Sequence, residues 1–115
     1  MKKITLFLFF IATNILMSQN VVEIAWGQGI NESVASPTIE VGDTVLWIWT
    51  DGSQKSVTAL PNGTESFSSG TLDGLNTEFS HTFQKRGVTE YQNESNPLMH
   101  GKVTVVGKLS VEDKF

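Results

Sequence analysis

"EVGDTVLWIWTDGSQKSVTA", residues 40–59, is the stretch that decides the fold. Gly42 and Asp43 mark a tight turn, and "TVLWIWT" (44–50) follows it with a period of two. Neighbouring residues of a strand point to opposite faces. One face here carries Val45, Trp47 and Trp49, and the other carries Leu46 and Ile48. Both faces are apolar, so this is predicted as a central strand. "DGSQ" (51–54) breaks the run, "SVTAL" (56–60) resumes it, and "PNGT" (61–64) is a strong turn signal.

The same grammar extends in both directions. Upstream lie "VVEIAW" (21–26) and "SPTIEV" (36–41). Downstream, "EFSHTF" (78–83) alternates with Phe79, His81 and Phe83 on one side, "KRG" turns the chain, and "VTEY" (88–91) and "KVTVV" (102–106) follow. Short alternating runs bounded by Gly, Pro, Asn and Asp, with no amphipathic helix and no internal repeat, read as an all-β domain. About seven such strands in one small domain predict a two-sheet Greek-key sandwich.

The ends read differently from the middle. "MKKITLFLFFIATNILMS" (1–18) has two lysines, then an apolar run, then a small residue, the layout of a secretory signal peptide. The run is broken by Thr13 and Asn14 and is short for a membrane span, which needs about 20 apolar residues. Residues 19–106 form the predicted domain, and "GKLSVEDKF" (107–115) loses the alternation and reads as a tail. Export to a periplasmic or external space is the expectation, with no membrane span once the signal is removed. The formal charge of −4 becomes −6 without Lys2 and Lys3, and no basic cluster remains to attract nucleic acid. The chain contains no cysteine, which excludes a disulfide, a thiolate nucleophile and any thiolate metal ligand. Two histidines and scattered acids assemble no Ser-His-Asp triad or carboxylate pair, so no enzyme is expected.

Taken in order, "EVGDTVLWIWTDGSQKSVTA", "FSSGTL", "FSHTFQKRGVTEY" and "MHGKVTV" resemble the plastocyanin-like cupredoxins, the blue-copper electron-transfer family. The resemblance covers residues 20–106. It implies a cupredoxin β-sandwich and a copper site of two His, one Cys and an axial Met. Carried across position by position, the first His falls on Lys55, the Cys on Asn93, the second His on Asn96 and the Met on Met99. Three of the four ligand positions are therefore substituted, and only the weakest ligand is kept.

The chemistry of those substitutions sets the functional expectation. Asn oxygens are poor copper ligands beside imidazole or thiolate. An ammonium about 4 Å from a cation at a dielectric near 20 repels it by about 4 kcal/mol per unit charge. The reading is a copper-free binding or structural module without a cofactor, presenting the loops around 51–55 and 92–100 to a protein partner. Asn93, Asn96 and Pro97 hold the turn, with Met99 and Tyr91 packed beneath it. The alternative is a copper protein that carries copper or transfers electrons through a rearranged site, with His100 as replacement ligand beside Met99 and with His81 in support. His81 lies between two phenylalanines, a setting that favours a packed histidine. Trp47 and Trp49 are expected in the core. Asn31, Asn62 and Asn93 each begin an N-x-Ser/Thr triplet in a turn.

Overall fold

The computed structural model describes residues 19–107. The predicted signal peptide and residues 108–115 of the predicted tail lie outside the described residues. Seven strands form two sheets, and no helix occurs among the described residues. The strands are β1 (Val21–Trp26), β2 (Thr38–Glu40), β3 (Thr44–Trp49), β4 (Thr58–Ala59), β5 (Glu78–Thr82), β6 (Gly87–Asn93) and β7 (Asn96–Val106). One sheet has the order β1-β3-β5 and the other β2-β7-β6-β4. β1 runs parallel to β3 and β2 parallel to β7, while the remaining pairs are antiparallel. The predicted all-β Greek-key sandwich is the observed one.

The period-two reading of "TVLWIW" holds in space. β3 is the middle strand of its sheet, with Val45, Trp47 and Trp49 fully buried and Leu46 and Ile48 half-buried. These three side chains meet Ile24 and Trp26 of β1 and, from the facing sheet, Ile39, Tyr91, Met99, Val103 and Val105 in one core. Burying a large apolar side chain contributes about 1.5–3 kcal/mol, so this one core, without a disulfide, accounts for the cohesion of the domain. Polar edges of the aromatic groups are mostly satisfied. Trp26 Nε1 donates to the Ser56 carbonyl (3.1 Å), Trp49 Nε1 to the Leu72 carbonyl (3.0 Å), and the Tyr91 hydroxyl to the Ala35 carbonyl. Among the described residues, the indole N–H of Trp47 is the one buried side-chain polar atom left without a partner.

The turn before β3 explains why "VGD" stands where it does. Gly42 has φ 97°, a left-handed value that suits glycine. Asp43 is buried and accepts the N–H groups of Asn20 (3.1 Å) and Glu40 (3.0 Å) on its two carboxylate oxygens.

Two elements differ from the sequence expectation. The strand expected at 56–60 is only Thr58–Ala59, because the Ser56 and Val57 N–H groups are taken by side chains, Asn93 Oδ1 and Ser69 Oγ. The last strand was expected from residue 102 but starts at Asn96. Its pairing with β6 runs Gln92 with His100, then jumps to Asn93 with Asn96, so Pro97, Leu98 and Met99 bulge from the ladder. Proline lacks an N–H and is tolerated in such a bulge. The expected 92–100 loop is thus a two-residue turn at Glu94-Ser95 plus a bulge.

Candidate functional site

Asn93 ends β6 and is fully buried. Its Oδ1 accepts two backbone N–H groups, from Ser56 (3.0 Å) and Ser95 (3.0 Å), and its Nδ2 lies 3.3 Å from Met99 Sδ. The Ser56 hydroxyl accepts the Glu94 N–H (2.9 Å) and so closes the turn from the other side. Asn93 therefore joins the hairpin tip, the strand after the 51–55 loop and the thioether of β7. Both ends of its amide are committed.

Lys55 precedes Ser56 and is fully buried, which is rare for a lysine unless it is paired. Its Nζ lies 2.6 Å from Asp51 Oδ1, 2.9 Å from the Ser53 carbonyl, and 3.0 Å from both the Asp51 carbonyl and Ser53 Oγ. The Trp49 ring lies 6.0 Å from the same nitrogen. The Lys55 ammonium, aided by the Ser53 hydroxyl and by the N–H groups of Gln28 and Ser53, holds the Asp51 carboxyl well below the usual carboxylate range. The expected repulsion between a bare ammonium and a metal ion needs correction on this point. Asp51 offsets the charge, and the obstacle to a metal here is the donor set.

Asn96 is half-buried and donates from Nδ2 to Gln28 Oε1 (2.9 Å), while its Oδ1 accepts the Leu98 N–H (3.3 Å). Gln28 in turn donates its backbone N–H to Asp51 Oδ2 (3.0 Å). One hydrogen-bonded chain thus runs from Asn96 through Gln28 and Asp51 to Lys55. The four positions singled out in the sequence, Lys55, Asn93, Asn96 and Met99, lie at one end of the sandwich in two linked clusters. Sequence reasoning missed Gln28, Asp51 and Ser53. A signal existed in the carboxylate of "DGS" four residues before Lys55, but nothing local announces a buried lysine.

The structure places the remaining candidates apart. Met99 is buried on the inner face of β7, and His100 is turned to the outer face. There His100 Nδ1 lies 3.7 Å from Glu32 Oε2. Adjacent residues of a strand cannot share one ion across the sheet, so the Met99–His100 pairing is not assembled. His81 lies on β5 in the other sheet. Its Nε2 is 2.8 Å from Glu65 Oε1, and its ring packs on Phe67 and Phe83 at 4.7 and 4.6 Å between centroids. Burial pushes the Glu65 carboxyl up, but hydrogen bonds from His81, Lys85 and Gln84 outweigh it and leave the carboxyl below its ordinary value. Phe67, from a segment without predicted strand character, completes an aromatic cluster with Trp47 and Phe79.

The donor set does not fit a blue-copper ion. The chain has no thiolate, the His100 imidazole is turned to the outer face of β7, Lys55 Nζ is enclosed by oxygens, and Asn93 turns its amide N–H groups towards Met99. Among the described residues, no group of three or more His, Cys, Asp or Glu is placed to hold a metal ion.

No family model and no curated protein matches the chain. Solved structures do. An oxidized amicyanin mutant aligns at TM-score 0.60 with 25% identity, over 75% of this chain and 80% of that one. A purple cupredoxin from Nitrosopumilus maritimus aligns at TM-score 0.62 with 28% identity, over 76% of this chain and all of that one (100%). A Cu(I) form of another amicyanin mutant aligns at TM-score 0.56 with 27% identity, over 76% and 82% of the two chains.

Proposed function

We propose that this chain, a protein of the cupredoxin fold, is a copper-free module of the blue-copper-like family that works by binding a partner. The observation that carries this reading is how Lys55 and Asn93 are held at their end of the sandwich. Lys55, which the family pattern carries onto an imidazole position, is enclosed by four oxygens, and Asn93, carried onto the thiolate position, has both amide ends committed. Such an end has no open coordination position and no sulfur–copper route for an electron.

A protein partner at this end is supported by what protrudes there. Leu98 is 85% exposed in the bulge of β7. Leu75 is 63% exposed, in a turn tied to the 51–55 loop by the Gly74 N–H on the Gly52 carbonyl (3.3 Å). Isolated apolar side chains on a hydrogen-bonded polar platform suit a protein surface. A nucleic acid would need basic groups, and among the described residues this end carries none free. The signal-like leader supports an exported module, and no helix of the described residues is long and apolar enough to cross a membrane.

The test is addition of Cu(II), and of Cu(I) under reductant, to the protein from residue 19 onward. Calorimetry is expected to show no stoichiometric binding tighter than micromolar, and the visible spectrum no intense thiolate-to-copper band. Either signal overturns the reading and favours copper carriage.

A further inference from the structure

The four oxygens around Lys55 Nζ have a chemistry of their own. All come from one short turn: the carbonyl and carboxylate of Asp51, and the carbonyl and hydroxyl of Ser53. Their distances, 2.6 to 3.0 Å, are those of N–H···O bonds. Three of the four are long for a hard divalent ion, which takes oxygens at about 2.3–2.6 Å for calcium and less for magnesium. A single carboxylate balances a single positive charge, and the Trp49 ring adds an electron-rich aromatic neighbour. Primary ammonium presents three N–H donors in a small tetrahedral volume. Guanidinium is planar and forked, and a quaternary ammonium has no N–H at all.

We propose that the Asp51–Ser53 turn is a recognition site for a primary ammonium group, which the chain fills with its own Lys55. The ligand class is an unbranched alkylammonium, and the resident lysine is a tethered member of that class. The site is complete within the fold because Lys55 is fixed from both sides of the chain. Its N–H and carbonyl both pair with Leu72 (2.9 Å each), while the loop oxygens hold its head. The inference goes beyond the copper-free reading and is independent of it, since amine binding and copper binding are read by separate titrations.

The chain has no cysteine, so a Lys55→Cys variant offers one unique thiol for rebuilding the side chain. Alkylation in denaturant with 2-bromoethylamine, then refolding, restores a primary ammonium on a stem of lysine length. Alkylation with (2-bromoethyl)trimethylammonium restores the charge without the N–H groups. The first product is expected to melt within a few degrees of the unaltered protein, and the second well below it. Lys55→Arg, which keeps the charge but puts it on a longer, planar head, is expected to melt low as well. The site as a receptor is tested with Lys55→Ala and free n-propylammonium. A saturable rise in melting temperature of about 5–10 °C is expected at about ten times the dissociation constant, with no rise from tetramethylammonium at equal ionic strength. If Lys55→Ala is unfolded in plain buffer, n-propylammonium is expected to restore its circular dichroism. Equal melting of the two alkylated products overturns the recognition chemistry. Absence of any n-propylammonium effect on Lys55→Ala overturns the ligand site.

Discussion

At the scale of single residues, Asn93 ties three parts of the chain together with one amide. Its Oδ1 serves the N–H groups of Ser56 and Ser95, and its Nδ2 faces Met99 Sδ. Leaving a buried donor unpaired costs about 1–3 kcal/mol. Asn93→Ala strands the buried Ser56 N–H and opens a small void, so a loss of about 2–4 kcal/mol is expected in urea denaturation. Glu65 does similar work at the opposite end of the sandwich. Its two oxygens hold His81 and the N–H groups of Gln84 (2.7 Å) and Lys85 (2.8 Å). Because its folded pKa is depressed, the stability it contributes is present above the ordinary glutamate value and is lost as pH falls through the folded value. Glu65→Gln is expected to lower stability at pH 7 and to flatten the decline below about pH 4.5. An unchanged acid limb in the variant would show that the linkage lies elsewhere. Asp51 adds a decline of the same sign at lower pH.

At the scale of elements, the contact between β7 and the turn at 31–36 sets a strict limit on side-chain size. A Cβ on Gly101 would stand 2.2 Å from the Ala35 carbonyl oxygen and 2.8 Å from its carbon, both backbone atoms that cannot swing aside. Gly101→Ala is expected to cost about 3 kcal/mol. Gly52→Ala, where the added carbon meets nothing within 4 Å, is expected to stay within about 0.5 kcal/mol. Equal chemical-denaturation midpoints for the two variants would contradict this docking. The elements also show what a sequence reveals. β3 was legible because its cue is local, an alternation of valine, tryptophan and tryptophan against leucine and isoleucine. β4 was overread, since its shortening depends on Asn93 and Ser69, which arrive from 37 and 12 residues away. The start of β7 was underread because Pro97 speaks for a loop, and only the bulged register reconciles it with a strand. Lys55, Asn93, Asn96 and Met99 could be named as candidates from the family pattern. The oxygen cage around Lys55 could not, because it depends on which way a flexible side chain turns.

At the scale of the whole molecule, the sandwich offers a test of the positional carry-over itself. Lys55→His, Asn93→Cys and Asn96→His together supply two imidazoles and a thiolate around Met99, and the scaffold around them is rigid. Asn93 already lies beside Met99, which favours the thiolate–thioether geometry. The triple variant is expected to bind copper and show an intense visible charge-transfer band, whereas Asn93→Cys alone is expected to give at most a weak site. A folded triple variant that takes up copper without that band would show that the positions were assigned to the wrong residues.

The arrangement of the second sheet bears on how the molecule comes to exist in time. Among the described residues β7 is the last strand in chain order, yet it is an interior strand, with β2 on one side and β6 on the other. Its Thr104–Val106 pairs with Thr38–Glu40 of β2, 66 residues earlier in the chain. Closing so long a loop must precede any reward from the pairing, and such nonlocal topologies assemble in milliseconds to seconds where local ones take microseconds. A nascent chain that lacks β7 holds an unpartnered β2 and a core without Met99, Val103 and Val105. Commitment to the native state is thereby deferred until nearly every other strand is available to receive it.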